Sequence, residues 1–199
     1  MKTVLMVAPL FDDVTKISSK WYSSALKQLP KDKFKIISLT GDAATRNNFE
    51  REIKNADIFA FWDHGNKDML ASQQKKEPPL VDLKNDHLLD GVETWTMACL
   101  SGWILGPDIV KKGGTLFQGY KFPFILSPLP IIQGVYGKCA NKGLLSRLVD
   151  DKPIDECKKD QQIFFVKNIL KLLLIPYQGI IFAVFLAFDL FGLVYLQQD

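Results

Sequence analysis

At 199 residues, 47% hydrophobic, 24% charged and 12% aromatic, the chain has the composition of one ordered domain with a real core, and its ten prolines without a repeat exclude a collagen-like chain. Three cysteines are too few, and odd in number, for a disulfide scaffold; without an obvious export signal they read as reduced thiols in a cytoplasm-like compartment. The 25 Lys plus Arg against 22 Asp plus Glu leave no basic field for nucleic acid, so a small-molecule or protein partner is expected.

The apolar run at 3–8, closed by Pro9 and Asp12-Asp13, predicts a buried parallel strand; it is too short for a secretory core and lacks a cleavage site. Residues 19–29 have helical spacing, with Trp21, Ala25 and Leu29 on one face and Pro30 as the stop. A strand at 34–39, an amphipathic helix at 43–54 and a strand at 57–62 complete a β-α-β-α-β alternation. Residues 66–84, rich in Lys, Gln, Asp and Pro and including Lys75-Lys76, predict a surface excursion.

A fourth strand is predicted at 92–97, a helix at 106–112 closed by Gly113-Gly114, and a fifth strand at 115–118. Pro123, Pro128 and Pro130 mark an irregular connection before a helix at 131–149. A longer helix runs from Pro153 to about 174, and Pro176 and Gly179 break the segment beyond it. The expected architecture is a single α/β domain over 1–199, three layers deep, with helices on both faces of a mostly parallel sheet of about six strands.

In such sheets function collects beyond the carboxyl ends of the strands. Asp63-His64-Gly65 comes after the third strand and Met97-Ala98-Cys99 ends the fourth. If these strands are adjacent and parallel, His64 and Cys99 face each other across about 5 Å of backbone. A thiol is mostly protonated at neutral pH and needs an adjacent histidine or an electropositive helix end to supply thiolate.

An apolar strand ending in His64-Gly65, followed by one ending in Ala98-Cys99, resembles the caspase-like cysteine peptidases of clan CD, a group that includes caspases, legumain, gingipains, clostripain, separase and CHAT domains. Gly113-Gly114 leading into a strand that ends at Gly119-Tyr120 is similar to the gingipain and CHAT branch, and the segment from Leu193 resembles its closing strand. The resemblance implies a thiol peptidase acting on protein or peptide substrates, with Cys99 as nucleophile, His64 as proton shuttle and the Gly65 and Cys99 amides as oxyanion donors. It implies a dyad with no third orienting residue, and neither cofactor nor metal. Asp63, Met97 and Trp103 are candidates for lining a substrate pocket. Clostripain-like and Arg-gingipain-like relatives carry an acid two positions before the nucleophile, where this chain has Met97, so the substrate side chain stays open. The caspase motif Gln-Ala-Cys-x-Gly is met only in part, by Met97-Ala98-Cys99-Leu100-Ser101-Gly102.

Two other functional classes compete with this one. A caspase-like domain with a preserved dyad can serve as a silent interaction module. Asp12-Asp13 and Asp63, with Lys121, are arranged by sequence like a receiver domain that binds Mg²⁺ and accepts a phosphoryl group. His87 reads as surface, Cys139 and Cys157 lack metal-type spacing, and Trp62 and Trp95 read as core. Residues 172–188 contain no charge; a buried helix in a cytoplasmic protein is favoured over a membrane anchor.

Overall fold

The computed structural model describes residues 1–73, 77–127 and 129–198; Lys75, Lys76 and Pro128, singled out in the sequence, lie outside the described residues. The amino-terminal half alternates β1 (Lys2–Ala8), α1 (Asp13–Gln28), β2 (Phe34–Thr40), α2 (Arg46–Glu52) and β3 (Ile58–Phe61). Three short strands come next, β4 (Gly65–Asn66), β5 (Met69–Leu70) and β6 (Val81–Asp82), then β7 (Glu93–Thr96), α3 (Leu105–Lys111) and β8 (Leu116–Tyr120). The carboxyl-terminal part is helical, α4 (Pro130–Leu148), α5 (Ile154–Leu173) and α6 (Gln178–Gly192), closed by β9 (Leu193–Gln197).

The main sheet has six strands in the order β2-β1-β3-β7-β8-β9, all parallel except the β8–β9 pair. Alternation along the central strands divides the core into two. Val4, Met6, Ala8, Ile58 and Ala60 face a cluster built with α1, α4, α5 and α6, while Leu5, Val7, Phe59 and Phe61 face one built with α2 and α3. This period of two, with both faces apolar, makes the strands read as continuous hydrophobic runs. The result is the three-layer α/β architecture expected from the sequence.

Several boundaries move, each for a local reason. Helix α1 begins six residues earlier than predicted, because Asp12 caps it: its side chain accepts the Thr15 amide while the Thr15 hydroxyl accepts the Asp12 amide. The predicted helix at 43–54 keeps only a seven-residue α core, flanked by 3-10 turns at Gly41–Ala43 and Ile53–Asn55. The surface excursion predicted at 66–84 is a correction: β4, β5 and β6 form a small antiparallel sheet there, and Leu70, Leu80 and Val81 are buried in the second core. Its polar residues conceal three apolar anchors, and Arg46 of α2 ties it down through both Asp82 carboxylate oxygens, at 2.9 and 3.2 Å.

The apolar block at 172–188 is not one element. It is divided between the end of α5, a turn and α6. No helix among the described residues is long and apolar enough to cross a membrane. Nor is α6 the fully buried helix expected: Phe182, Ala183 and Leu186 pack inward, whereas Ile180, Ile181, Val184 and Phe191 are exposed.

Candidate active site

The order β1-β3-β7 determines which residues meet. Val7 pairs with Phe61, and Phe61 with Thr96, so the three strands end level at the carboxyl edge of the sheet. Asp12, His64 and Cys99 lie within a few residues of those ends. The Ser18 hydroxyl on α1 donates to the Trp62 carbonyl at 3.2 Å, holding the start of α1 against the end of β3.

His64 and Cys99 line one small cavity, with Asp63, Met97, Ser18, Val14, Phe124 and Leu126. Its volume is about 30 Å³, room for about one water and far too little for a peptide. A wider cavity of about 390 Å³ is also lined by His64, together with Phe11, Asp12, Met69, Ser72 and Glu77.

The imidazole is held from one side. His64 Nε2 lies 2.9 Å from Asp12 Oδ2, and the Phe11 ring sits 5.7 Å from the His64 ring. The Asp12 carboxyl is held below the ordinary carboxylate range: burial works to raise it, but the Thr15 amide, His64 and the Thr15 hydroxyl together outweigh burial. With Nε2 engaged by an ionised carboxylate, Nδ1 is the ring nitrogen left for proton transfer.

Cys99 is half-buried, and its Sγ accepts the Phe124 amide at 3.2 Å. Burial pushes the thiol above its ordinary value, against the Phe124 N–H, and Asp189 adds to this once ionised, so the resting thiol is protonated. The next residue, Leu100, has φ +61°, a conformation that costs a non-glycine residue about 1–3 kcal/mol. The turn is held at the end of β8 and from within: the Gly102 amide donates to the Tyr120 carbonyl and the Leu100 amide to the Phe122 carbonyl, while the Ser101 hydroxyl donates to the Ala98 carbonyl inside the turn.

Gly65 is pressed against this turn. A Cβ there would come within 2.6 Å of the Ala98 Cβ and 3.2 Å of the Cys99 carbonyl oxygen, so the close approach of β4 to the residues around Cys99 requires glycine.

Two carboxyls near the thiol have no acid–base role that the sequence alone suggests. Asp63 is buried, and neither oxygen has a hydrogen-bond partner among the described residues. Burial pushes it up to about 8, the Asp12 charge adds to this, and the nearby His64 amide, short of a well-formed bond, offsets only part. Asp189 on α6 is buried and pushed up to about 8 by the same cause, with one oxygen accepting the Ile125 amide at 2.8 Å. Both are therefore largely neutral at neutral pH. Asp189 orders the 124–125 backbone, whose Phe124 amide meets the Cys99 sulfur.

Of the predicted site residues, the fold brings Asp63, His64, Met97 and Cys99 to one cavity, with Gly65 packed beside Cys99. Trp103 lies elsewhere, half-exposed under the Lys67 ammonium at 6.0 Å, and does not line the cavity of Cys99. Trp62 and Trp95 are core residues. Cys139 and Cys157 are buried, and burial pushes their thiols up to about 12 and about 11. Of the carboxylates in the receiver-like reading, Asp12 faces His64 and Asp13 faces Lys16, and the described residues contain no group of three or more His, Cys, Asp or Glu that could hold a metal ion.

Asp12 is the residue that sequence reasoning missed. In the sequence it suggests only a phosphoacceptor carboxylate, yet Asp12-x-x-Thr15 is a readable capping signal that puts a carboxylate at the carboxyl end of β1. No protein-family model matches the sequence, and no curated protein matches it either.

Proposed function

We propose that the chain is a caspase-like cysteine endopeptidase acting on protein or peptide substrates in a reducing, cytoplasm-like compartment. One observation carries this reading: Cys99 and an aspartate-backed His64 each lie three residues past the ends of adjacent parallel strands and line the same cavity. Because the resting thiol is protonated, His64 must remove the proton as the sulfur attacks. In this mechanism the Cys99 Sγ bonds to the scissile carbonyl carbon and its proton passes to His64. The Gly65 and Cys99 amides hold the oxyanion. Collapse breaks the C–N bond, and the imidazolium gives its proton to the leaving amine. Water, deprotonated by His64, then hydrolyses the thioester and regenerates the thiol. Asp12 stabilises the imidazolium throughout, the part played by the third member of a catalytic triad.

The wider cavity beside His64 has the volume to receive a substrate side chain, and its Asp12 and Glu77 carboxyls give it a polar wall. A catalytically silent caspase-like module is the second reading, favoured by the narrowness of the cavity at Cys99 and by its protonated thiol. Hydrolysis of a peptide library by wild type and by Cys99→Ala separates the readings. Turnover confined to wild type supports the peptidase, an inert wild type leaves the silent module, and equal turnover by Cys99→Ala removes the mechanism.

A further inference from the structure

Helix α6 is apolar on both faces, and only one is used by the fold. Phe182, Ala183 and Leu186 are buried, while Ile180, Ile181, Val184, Phe188 and Phe191 form an outward stripe at helical spacing. The turn joining α5 to α6 continues this surface. Leu174 is 83% exposed and Tyr177 92%. Tyr177 has φ +61° and ψ −71°, and the Gln178 amide bonds back to the Pro176 carbonyl at 2.8 Å, so a tight turn projects its ring from the end of the hairpin. On the adjoining face of α5, Ile163, Val166, Leu170 and Leu173 are also exposed.

Between Asp160, at the far end of the α5 stripe, and Asp189 the charges are of one sign. From 161 to 188 the only charged side chains are Lys167 and Lys171, both exposed and one helical turn apart on α5. The first acid beyond them is Asp189, buried on the inner side of α6.

We infer that the α5–α6 hairpin docks on an anionic lipid leaflet, with Leu174 and Tyr177 entering the headgroup–acyl boundary and Lys167 and Lys171 meeting the phosphates. An amphipathic surface of this kind, apolar with lysines at its border, lies in a bilayer interface and does not span it. Neither helix is long and apolar enough to cross. A second copy of the chain fits less well, because a two-fold interface centred on the hairpin turn would bring Lys167 and Lys171 toward their own copies. The inner end of the stripe adjoins the site: Phe188 and Phe191 pack on Phe122, whose carbonyl accepts the amide of Leu100, the neighbour of Cys99. Docking therefore brings the Cys99 turn close to the membrane surface. This inference does not depend on the peptidase reading.

The test is flotation of the full chain with vesicles of phosphatidylcholine alone or mixed with phosphatidylglycerol, in low and high salt. Wild type is expected to float with the mixed vesicles and to be released by salt. The double variant Leu174→Glu/Tyr177→Glu, altered only at exposed positions, should stay at the bottom of the gradient with an unchanged melting temperature and circular dichroism spectrum. Lys167→Gln and Lys171→Gln should each weaken binding to the mixed vesicles roughly fivefold. Wild type that floats with neither vesicle overturns the inference, as does flotation that the glutamate variant retains. A dimer seen by light scattering without lipid, and split by the same glutamates in a chain that does not float, assigns the surface to self-association instead.

Discussion

One Asp12 oxygen accepts the Thr15 amide and the other meets His64, so substitutions there separate a folding role from a chemical one. Asparagine caps a helix about as well as aspartate but carries no charge. Asp12→Asn should lower the melting temperature only by what the carboxylate charge contributes, and lower kcat by roughly tenfold to a hundredfold, the worth of a charge-assisted hydrogen bond. Asp12→Ala should show the same loss of turnover and also lose about 1 kcal/mol of stability with the cap. Steady-state kinetics beside thermal melts distinguish the two, and an unaltered kcat in both variants would remove Asp12 from the mechanism. His64 and Cys99 are legible in the sequence because each closely follows a segment that reads as a core strand. The Asp12–His64 pair is not, since it joins groups 52 positions apart whose meeting depends on strand order.

At the scale of elements, the site depends on how tightly the small β4–β5–β6 sheet packs over the ends of the main strands. Gly65→Ala would push a methyl group into Ala98 and the Cys99 carbonyl. It should cost about 1–3 kcal/mol of overpacking and reduce turnover by more than the lost stability explains. Denaturant unfolding and kinetics on one preparation check this; a variant as stable and as active as wild type would show that β4 yields easily. Strands β1 and β3 are legible nearly to their ends because both faces are apolar over four or more residues. The β4–β6 strands escape detection because each is two residues long, too short for a period of two to register. The early start of α1 is hidden for another reason: its first turn is polar, and the signal lies in the cap.

For the whole molecule, the two raised carboxyls give a definite pH dependence. Asp63 and Asp189 titrate near 8 when folded and near 4 when unfolded, so between those values the folded state holds protons that the unfolded state has released. Stability is therefore full below about pH 4 as far as these two groups are concerned, falls as pH rises through the interval and levels off above about pH 8. Each contributes on the order of a few kcal/mol across that range. Asp12 acts in the opposite sense, its contribution being lost as pH falls through its lowered folded value. The melting temperature should thus fall from mildly acidic toward mildly alkaline pH, and Asp189→Asn, which keeps an acceptor for the Ile125 amide, should flatten that slope. A slope the substitution leaves intact would place the titration elsewhere. The three-layer architecture is legible from the alternation of elements. The outward apolar face of α6 is not, since a helix that is apolar all round carries no periodic signal for which side the core takes.

Whether Cys99 is a nucleophile served by His64 is decided by following the peptide-library hydrolysis with intact-mass spectrometry in wild type, Cys99→Ala and His64→Ala. Wild type should show turnover and a transient acyl adduct on Cys99, Cys99→Ala neither, and His64→Ala a loss of roughly a hundredfold or more. Equal hydrolysis by all three proteins, or an adduct on Cys139 or Cys157 in place of Cys99, would contradict it.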